Sequence, residues 1–327
     1  MLKAELEKVV EEVKKPFYTI YLGGGNPMLL GVERIKLLLE TATKYGSVEE
    51  CTLEVNPEDV SSSLDTLYPL VTRISTGIQT MSDKTLSFLS RRGSVEENIK
   101  AMEYLSHSHF NWNADIMTAI PGTEICDTLY DLESVIKYNP GHISFYCLTF
   151  EENTPLVGRA CPVGEEKERE YLLSGWKLLK ESGYNHYEIS AFSKPGCKSR
   201  HNSLYWELGQ YIGLGPSAES FLGYTTGTTM RNTEDLDSFI SDPLFNCENL
   251  NEKETEESYI LTSLRTMKGI DKREYNHRFS FDFDEKYSLQ ISSLDKAWYV
   301  NDEDSFRLTE EGMMMNDTVI LILSMVI

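Results

Sequence analysis

Closely spaced cysteines are missing from this sequence. Cys51, Cys126, Cys147, Cys161, Cys197 and Cys247 never fall into a C-x-x-C or similar knuckle. The residues therefore carry no signal for a zinc or iron–sulfur site, and no metal ligands are expected among them. Their scatter suits reduced, mostly buried thiols. Positive charge is also scarce: 31 Lys and Arg against 52 Asp and Glu leave a formal net charge of −21. Such a chain repels phosphate backbones, which excludes nucleic acid as an expected partner despite the Arg91-Arg92 pair. Long apolar runs are lacking too. Residues 318–327 fall short of the roughly 20 that a spanning helix needs, so no membrane span is expected. No basic stretch followed by an apolar one opens the chain, and a cytoplasmic location is the expectation. Repeats and low-complexity segments are likewise absent.

What is present is a globular composition, 40% hydrophobic with 11% aromatic residues, over 327 residues. That length predicts one large domain and a smaller one. Apolar β-branched runs at 17–22, 51–55, 73–78, 111–117 and 143–149 read as strands. Helical apolar spacing at 1–15, 29–39, 61–70, 82–89, 95–107, 127–138 and 165–182 alternates with them. This alternation implies right-handed βαβ crossovers and a parallel sheet: an α/β fold, a partial (β/α) barrel with too few units for eight. Residues 184–192 read as a further strand and 194–221 as ordered loops. Beyond about residue 242, helices and a hairpin at 298–300 and 305–308 suggest a small winged-helix-like domain, giving domains 1–242 and 243–327.

The organising stretch is Tyr18-Thr19-Ile20-Tyr21-Leu22-Gly23-Gly24-Gly25-Asn26-Pro27. A strand that ends in bare glycines exposes backbone N–H and C=O groups to a ligand. It matches neither the dinucleotide nor the P-loop fingerprint. Polar residues recur at the other strand ends: Glu54, Gln79 and Asp115. Each taken singly suits a turn, a solvated side chain or a loop cap. Four aligned strand ends together point to a binding rim.

Gly23-Gly24-Gly25-Asn26-Pro27, Glu54-Val55-Asn56-Pro57, Gly77-Ile78-Gln79-Thr80, Leu89-Ser90-Arg91 and Asp115-Ile116-Met117 occur in order. Tyr187-Glu188-Ile189-Ser190, His201-Asn202-Ser203-Leu204-Tyr205-Trp206 and Gly213-Leu214-Gly215-Pro216 continue the series. Together they resemble the radical S-adenosylmethionine (radical SAM) family of oxygen-independent coproporphyrinogen III oxidases and their haem-chaperone relatives, the HemN/HemW type. The resemblance runs over nearly the whole chain. It implies that Gly24, Gly25, Asn26, Glu54, Gln79, Arg91 and Asp115 contact S-adenosylmethionine; Asn26 stands where the family has threonine. It also implies a four-iron four-sulfur cluster held by C-x-x-x-C-x-x-C before the first barrel helix. Here the chain opens at what resembles that helix, so the expectation is a barrel missing its first unit and unable to ligate the cluster.

The His-Asn-x-x-Tyr-Trp element resembles the haem-chaperone branch more than the oxidase proper. His201, Asn202, Tyr205 and Trp206 are thus the haem-binding candidates: an imidazole for iron, with two aromatic rings to flank a macrocycle. The expected function is that of a radical SAM haem-chaperone-like protein, with haem or another tetrapyrrole and a haem-accepting protein as partners. The alternatives are an oxygen-independent coproporphyrinogen III oxidase and a cluster-free tetrapyrrole- or partner-binding module.

Overall fold

A computed structural model describes residues 1–151, 156–241 and 245–325, so the expected domain boundary at 242/243 lies outside the described residues. After helix α1 (Leu2–Val13), strands β1 (Thr19–Leu22), β2 (Glu50–Val55), β3 (Arg73–Gln79), β4 (Asn111–Thr118) and β5 (His142–Cys147) alternate with helices. These are α2 (Val32–Ala42), α3 (Asp83–Phe88), α4 (Val95–Ser106) and α5 (Ile125–Ile136), followed by α6 (Glu165–Glu181). The chain divides into two compact units. One is Val13–His186 with Ser190–Ser199; the other is Met1–Glu12, Tyr187–Ile189 and Arg200–Ile327.

In the first unit β1 to β5 pair in parallel and in sequence order. The full order is β1-β2-β3-β4-β5-β7-β6, with β6 (Asn185–Glu188) and β7 (Ala191–Ser193) at one end. It is an open sheet, as a partial barrel requires. Alternation along each strand sorts the residues by face. Leu53, Ile74, Ala114, Ile116, Ile143 and Phe145 on one face are fully buried. The helices add Ile35, Leu39, Leu105, Leu132, Val135 and Leu179 to the same core. Burying each of the larger of these side chains stabilises by about 2 kcal/mol. Start signals are local: Ser94 and Glu97 form a reciprocal capping box at α4, and Ser82 caps α3.

Four expectations need correction. The thiols are not mostly buried: of the six only Cys51 is, while Cys126, Cys161 and Cys247 are exposed. The strand expected at 184–192 is two short strands, and β7 runs antiparallel to β5 (Ile143↔Phe192). A single strand cannot reverse, and the turn at Ile189-Ser190 is what the continuous apolar-aromatic run concealed. The helix expected at 61–70 is only a 3₁₀ segment, Ser62–Leu67. The segment expected as loops at 194–221 contains helix α7 (Arg200–Trp206) and the start of strand β8 (Glu219–Gly223).

The second unit pairs β8 with β9 (Gly227–Asn232) and, beyond α8 (Leu236–Ser241), with β10 (Phe245–Leu250) in the order β10-β9-β8. Helices α9 (Glu252–Ser263), α10 (Lys272–Phe279) and α11 (Phe283–Ser293) then accompany a small sheet of β11 (Ile270–Asp271), β12 (Tyr299–Asn301) and β13 (Ser305–Leu308). Its order β11-β13-β12, all antiparallel, is the helices-plus-wing arrangement. Helices α12 (Glu310–Met313) and α13 (Asn316–Ser324) follow. Inside, Glu256 is buried and accepts hydrogen bonds from Tyr275, from Tyr287 at 2.7 Å and from Lys286 at 2.7 Å. No helix among the described residues is long and apolar enough to cross a membrane.

Candidate functional site

The second face of the parallel sheet is polar. Register places Glu54 beside Ser75, Ser75 beside Asn113, and Asn113 beside His142, with Asp115 beside Ser144. A polar row across four strands is costly to bury unless its members satisfy one another. They do. Asn113 Nδ2 donates to Ser75 Oγ at 2.7 Å and to Asp115 Oδ1 at 2.7 Å. Ser75 Oγ donates to Asp115 Oδ2 at 3.3 Å. Tyr21 on β1 donates to Glu54 Oε1 at 2.6 Å, and Gly24 N–H donates to Oε2 at 3.2 Å.

Electrostatics follow from this packing. Burial pushes the Asp115 carboxyl above the usual carboxylate range; donors at Ser144, Asn113 and Ser75 oppose the shift, while the nearby Glu54 charge adds to it. Burial, reinforced by Asp115, raises the Tyr146 hydroxyl, and the Arg91 charge counters it. Burial, with the Arg73 charge adding to it, holds His142 well below the usual imidazole range.

The three glycines play different parts. A β-carbon on Gly23 would sit 2.6 Å from the Tyr21 ring and 2.8 Å from the Glu54 carboxyl, so close approach demands glycine there. Gly24 (φ +79°) and Gly25 (φ +133°) adopt left-handed backbone in open space. Asn26 turns its side chain inward: Oδ1 accepts from Met28 N–H at 3.1 Å, and Nδ2 donates to Asp59 at 2.7 Å. Its polar side-chain atoms thus hold the loop.

At the end of β3, Gln79 is buried with φ +65°. Its Oε1 accepts from Tyr146 at 3.4 Å. Behind it, Asn98 Nδ2 donates to the carbonyls of Ile78 and Thr80 at 3.0 and 3.1 Å, and Asp131 accepts from Met81 N–H at 2.8 Å. Arg91, beyond α3, is exposed; its Nη1 lies 3.9 Å from where a β-carbon on Gly77 would stand. Gly24, Glu54, Gln79, Arg91 and Asp115 therefore share one neighbourhood, linked through Tyr21 and Tyr146. Sequence reasoning missed Tyr21, Ser75, Asn113, Ser144 and Tyr146. Ser75, Asn113 and Ser144 recur at period two among apolar residues, which places them on one face but does not show that they adjoin; Tyr21 and Tyr146 read as apolar and carry no such signal.

The haem candidates lie in the other unit, on α7. His201 and Tyr205 are one turn apart, with His201 Nε2 and the Tyr205 hydroxyl 2.8 Å apart. The Tyr205 ring meets Tyr211 edge-on, centroids 4.7 Å apart. Asn202 is half-buried in the same turn, and Trp206 Nε1 is buried without a hydrogen-bond partner.

Residues suited to an iron–sulfur cluster are another matter. Among the described residues no three His, Cys, Asp or Glu side chains converge to hold a metal. Burial pushes the Cys51 and Cys147 thiols up to about 12, away from the thiolate that iron needs. The described residues do not fit a cluster.

An open, mostly parallel sheet with helices on its apolar face and polar groups gathered at its glycine-ended strand ends defines an α/β protein of the partial-barrel type. The Radical SAM superfamily pattern matches residues 1–135. The heme chaperone HemW of Buchnera aphidicola subsp. Schizaphis graminum is 30% identical over 98% of this chain and 88% of its own length. That of Haemophilus influenzae is 28% identical over 99% and 88%. Coproporphyrinogen III oxidase (HemN) from Escherichia coli, a radical SAM enzyme, superposes with a TM-score of 0.78 at 15% identity. That superposition covers 99% of this chain and 84% of the other, a likeness of fold. The chain belongs to the HemN/HemW family of radical SAM proteins.

Proposed function

We propose that this protein handles haem as a chaperone, binding S-adenosylmethionine on the polar strand ends of its sheet and haem on the α7 face, and delivering haem to an acceptor protein. The observation that carries the reading is the paired carboxylates, Glu54 and Asp115, held by strand donors beside the open backbone of Gly24 and Gly25. S-adenosylmethionine brings an ammonium, a carboxylate, a ribose diol and a reducible sulfonium. Glu54 suits the ammonium or the ribose, Asp115 the ribose hydroxyls, and Arg91 the carboxylate. Gly24 and Gly25 let the ligand approach peptide groups, and Gln79 offers an amide at the next strand end. On α7, His201 supplies an imidazole, while Tyr205, Trp206 and Asn202 supply ring faces and polar edges.

Two titrations test this. Calorimetry with S-adenosylmethionine should give saturable binding that Asp115→Ala weakens at least tenfold. Haemin followed by absorbance should give a saturable band that His201→Ala shifts or weakens and Tyr205→Phe alters less. Identical haemin curves for wild type and His201→Ala would remove His201 as the iron ligand.

A further inference from the structure

We propose that Asn113 is a positioning residue: it orients the Asp115 carboxylate, and the His142 ring locks its amide from behind. The inference rests on reading the polar face as the S-adenosylmethionine site, but its physical content concerns this chain alone.

Asn113 lies in the middle of β4, 3% exposed, two residues before Asp115 and on the same face. Its amide makes four hydrogen bonds. Nδ2 donates to Asp115 Oδ1 and to Ser75 Oγ, both at 2.7 Å. Oδ1 meets His142 Nδ1 at 2.6 Å and accepts from Ser144 Oγ at 3.2 Å. That is the full valence of the group.

Chemistry fixes its direction. A carboxylate only accepts, so the NH₂ must face Asp115. The oxygen then faces His142, whose ring is fully buried beside the Arg73 charge and kept neutral, so its single hydrogen resides on Nδ1. A flipped amide would set oxygen against carboxylate and NH₂ against N–H, two repulsions exchanged for two strong bonds. The tautomer of His142 and the orientation of Asn113 are therefore one choice, which Asp115 inherits. Ser75 steadies the other oxygen at 3.3 Å. The ionisable groups around Asp115 are Tyr21 on β1, Glu54 on β2, Arg73 on β3, His142 and Tyr146 on β5, and Arg91 beyond α3. Glu54 repels it. Without the Asn113 donor, that repulsion and burial both favour the neutral acid, a poorer acceptor for ribose hydroxyls.

The test is N113D, which keeps the shape but replaces the donor by a carboxyl. Two carboxyls at that separation share a proton. In the full chain carrying ¹³C-carboxyl aspartate, with the signal assigned by D115N, Asp115 should titrate about two pH units higher in N113D than in wild type. Calorimetry should show S-adenosylmethionine affinity falling at least tenfold above the midpoint of that titration. It should recover toward wild type below the midpoint of the N113D titration itself, where the shared proton restores a donor; a purely structural loss would not reverse with pH. If N113D fails to fold, N113S, too short to reach Asp115, is read by the same titration and should also raise it. An Asp115 signal that titrates alike in wild type and in the folded variant overturns the proposal, whether or not the cofactor binds. A shifted signal in a protein whose wild type shows no S-adenosylmethionine binding sustains the positioning role and overturns the cofactor reading instead.

Discussion

Tyr21 and Glu54, 33 residues apart, meet across the β1–β2 pair through a 2.6 Å hydrogen bond from the phenol to Oε1. The same carboxylate receives the Gly24 N–H on Oε2, so strand and glycine loop are tied at one side chain. A carboxylate so fixed keeps lone pairs for a cation without having to be ordered when the ligand arrives.

Glu54→Gln keeps the size and removes the charge. A hydrogen bond to a charged group contributes about 1.5–3 kcal/mol, so S-adenosylmethionine affinity should fall roughly tenfold to hundredfold. Calorimetric titration measures it, and an unchanged affinity would show that Glu54 serves the loop alone.

Asp131 gives the fold a pH signature. Burial raises its carboxyl to about 6 against donors at Thr80 and Met81. Because this exceeds the unfolded value of roughly 3.9, folding favours the protonated form, and stability rises as pH falls through 6. Between pH 7 and pH 5 the wild type should gain about 1 kcal/mol relative to Asp131→Asn, which still accepts from Met81 N–H. Urea unfolding at the two pH values decides it; a constant difference refutes the assignment.

Gly175 lies within α6, where alanine would ordinarily stabilise by up to about 1 kcal/mol. Here an added β-carbon would sit 2.3 Å from the Phe145 ring. Gly175→Ala should instead destabilise by about 1–3 kcal/mol. Adding Phe145→Leu should recover part of that loss, a non-additivity that thermal unfolding of the single and double variants will register.

Asn98→Ala removes the buried amide that satisfies the Ile78 and Thr80 carbonyls on either side of Gln79. A loss of about 2 kcal/mol is expected. The Gln79 backbone, held at positive φ, should exchange its amide hydrogens faster. Unaltered exchange there would mean the clamp is dispensable.

The parallel strands were legible because each is a short β-branched run between helical periods, and the glycine loop because Gly23 to Gly25 stand in sequence. The strand-end polar residues were visible one at a time, their alignment at four successive strand ends grouped them, and the family resemblance added Arg91. Their supports were not legible: Tyr21 reads as one more apolar residue of β1, and Ser75 and Asn113 as ordinary strand polars, until register sets them side by side. The reversal between β6 and β7 escaped because His186, Tyr187, Ile189 and Phe192 look like one run. Helix α7 escaped because none of its seven residues is fully buried, so no apolar period marks it.

The even-and-odd sorting of β2 to β5 has a practical consequence. Slipping any one of these strands by a single residue would exchange Glu54 for Leu53, Ser75 for Ile74 or Asp115 for Ala114, emptying the polar row and charging the core in one move. On the proposed reading of the polar row, binding competence requires correct strand alignment, and the fraction of a refolded preparation that takes up S-adenosylmethionine should report the molecules whose strands have found their neighbours in the right phase.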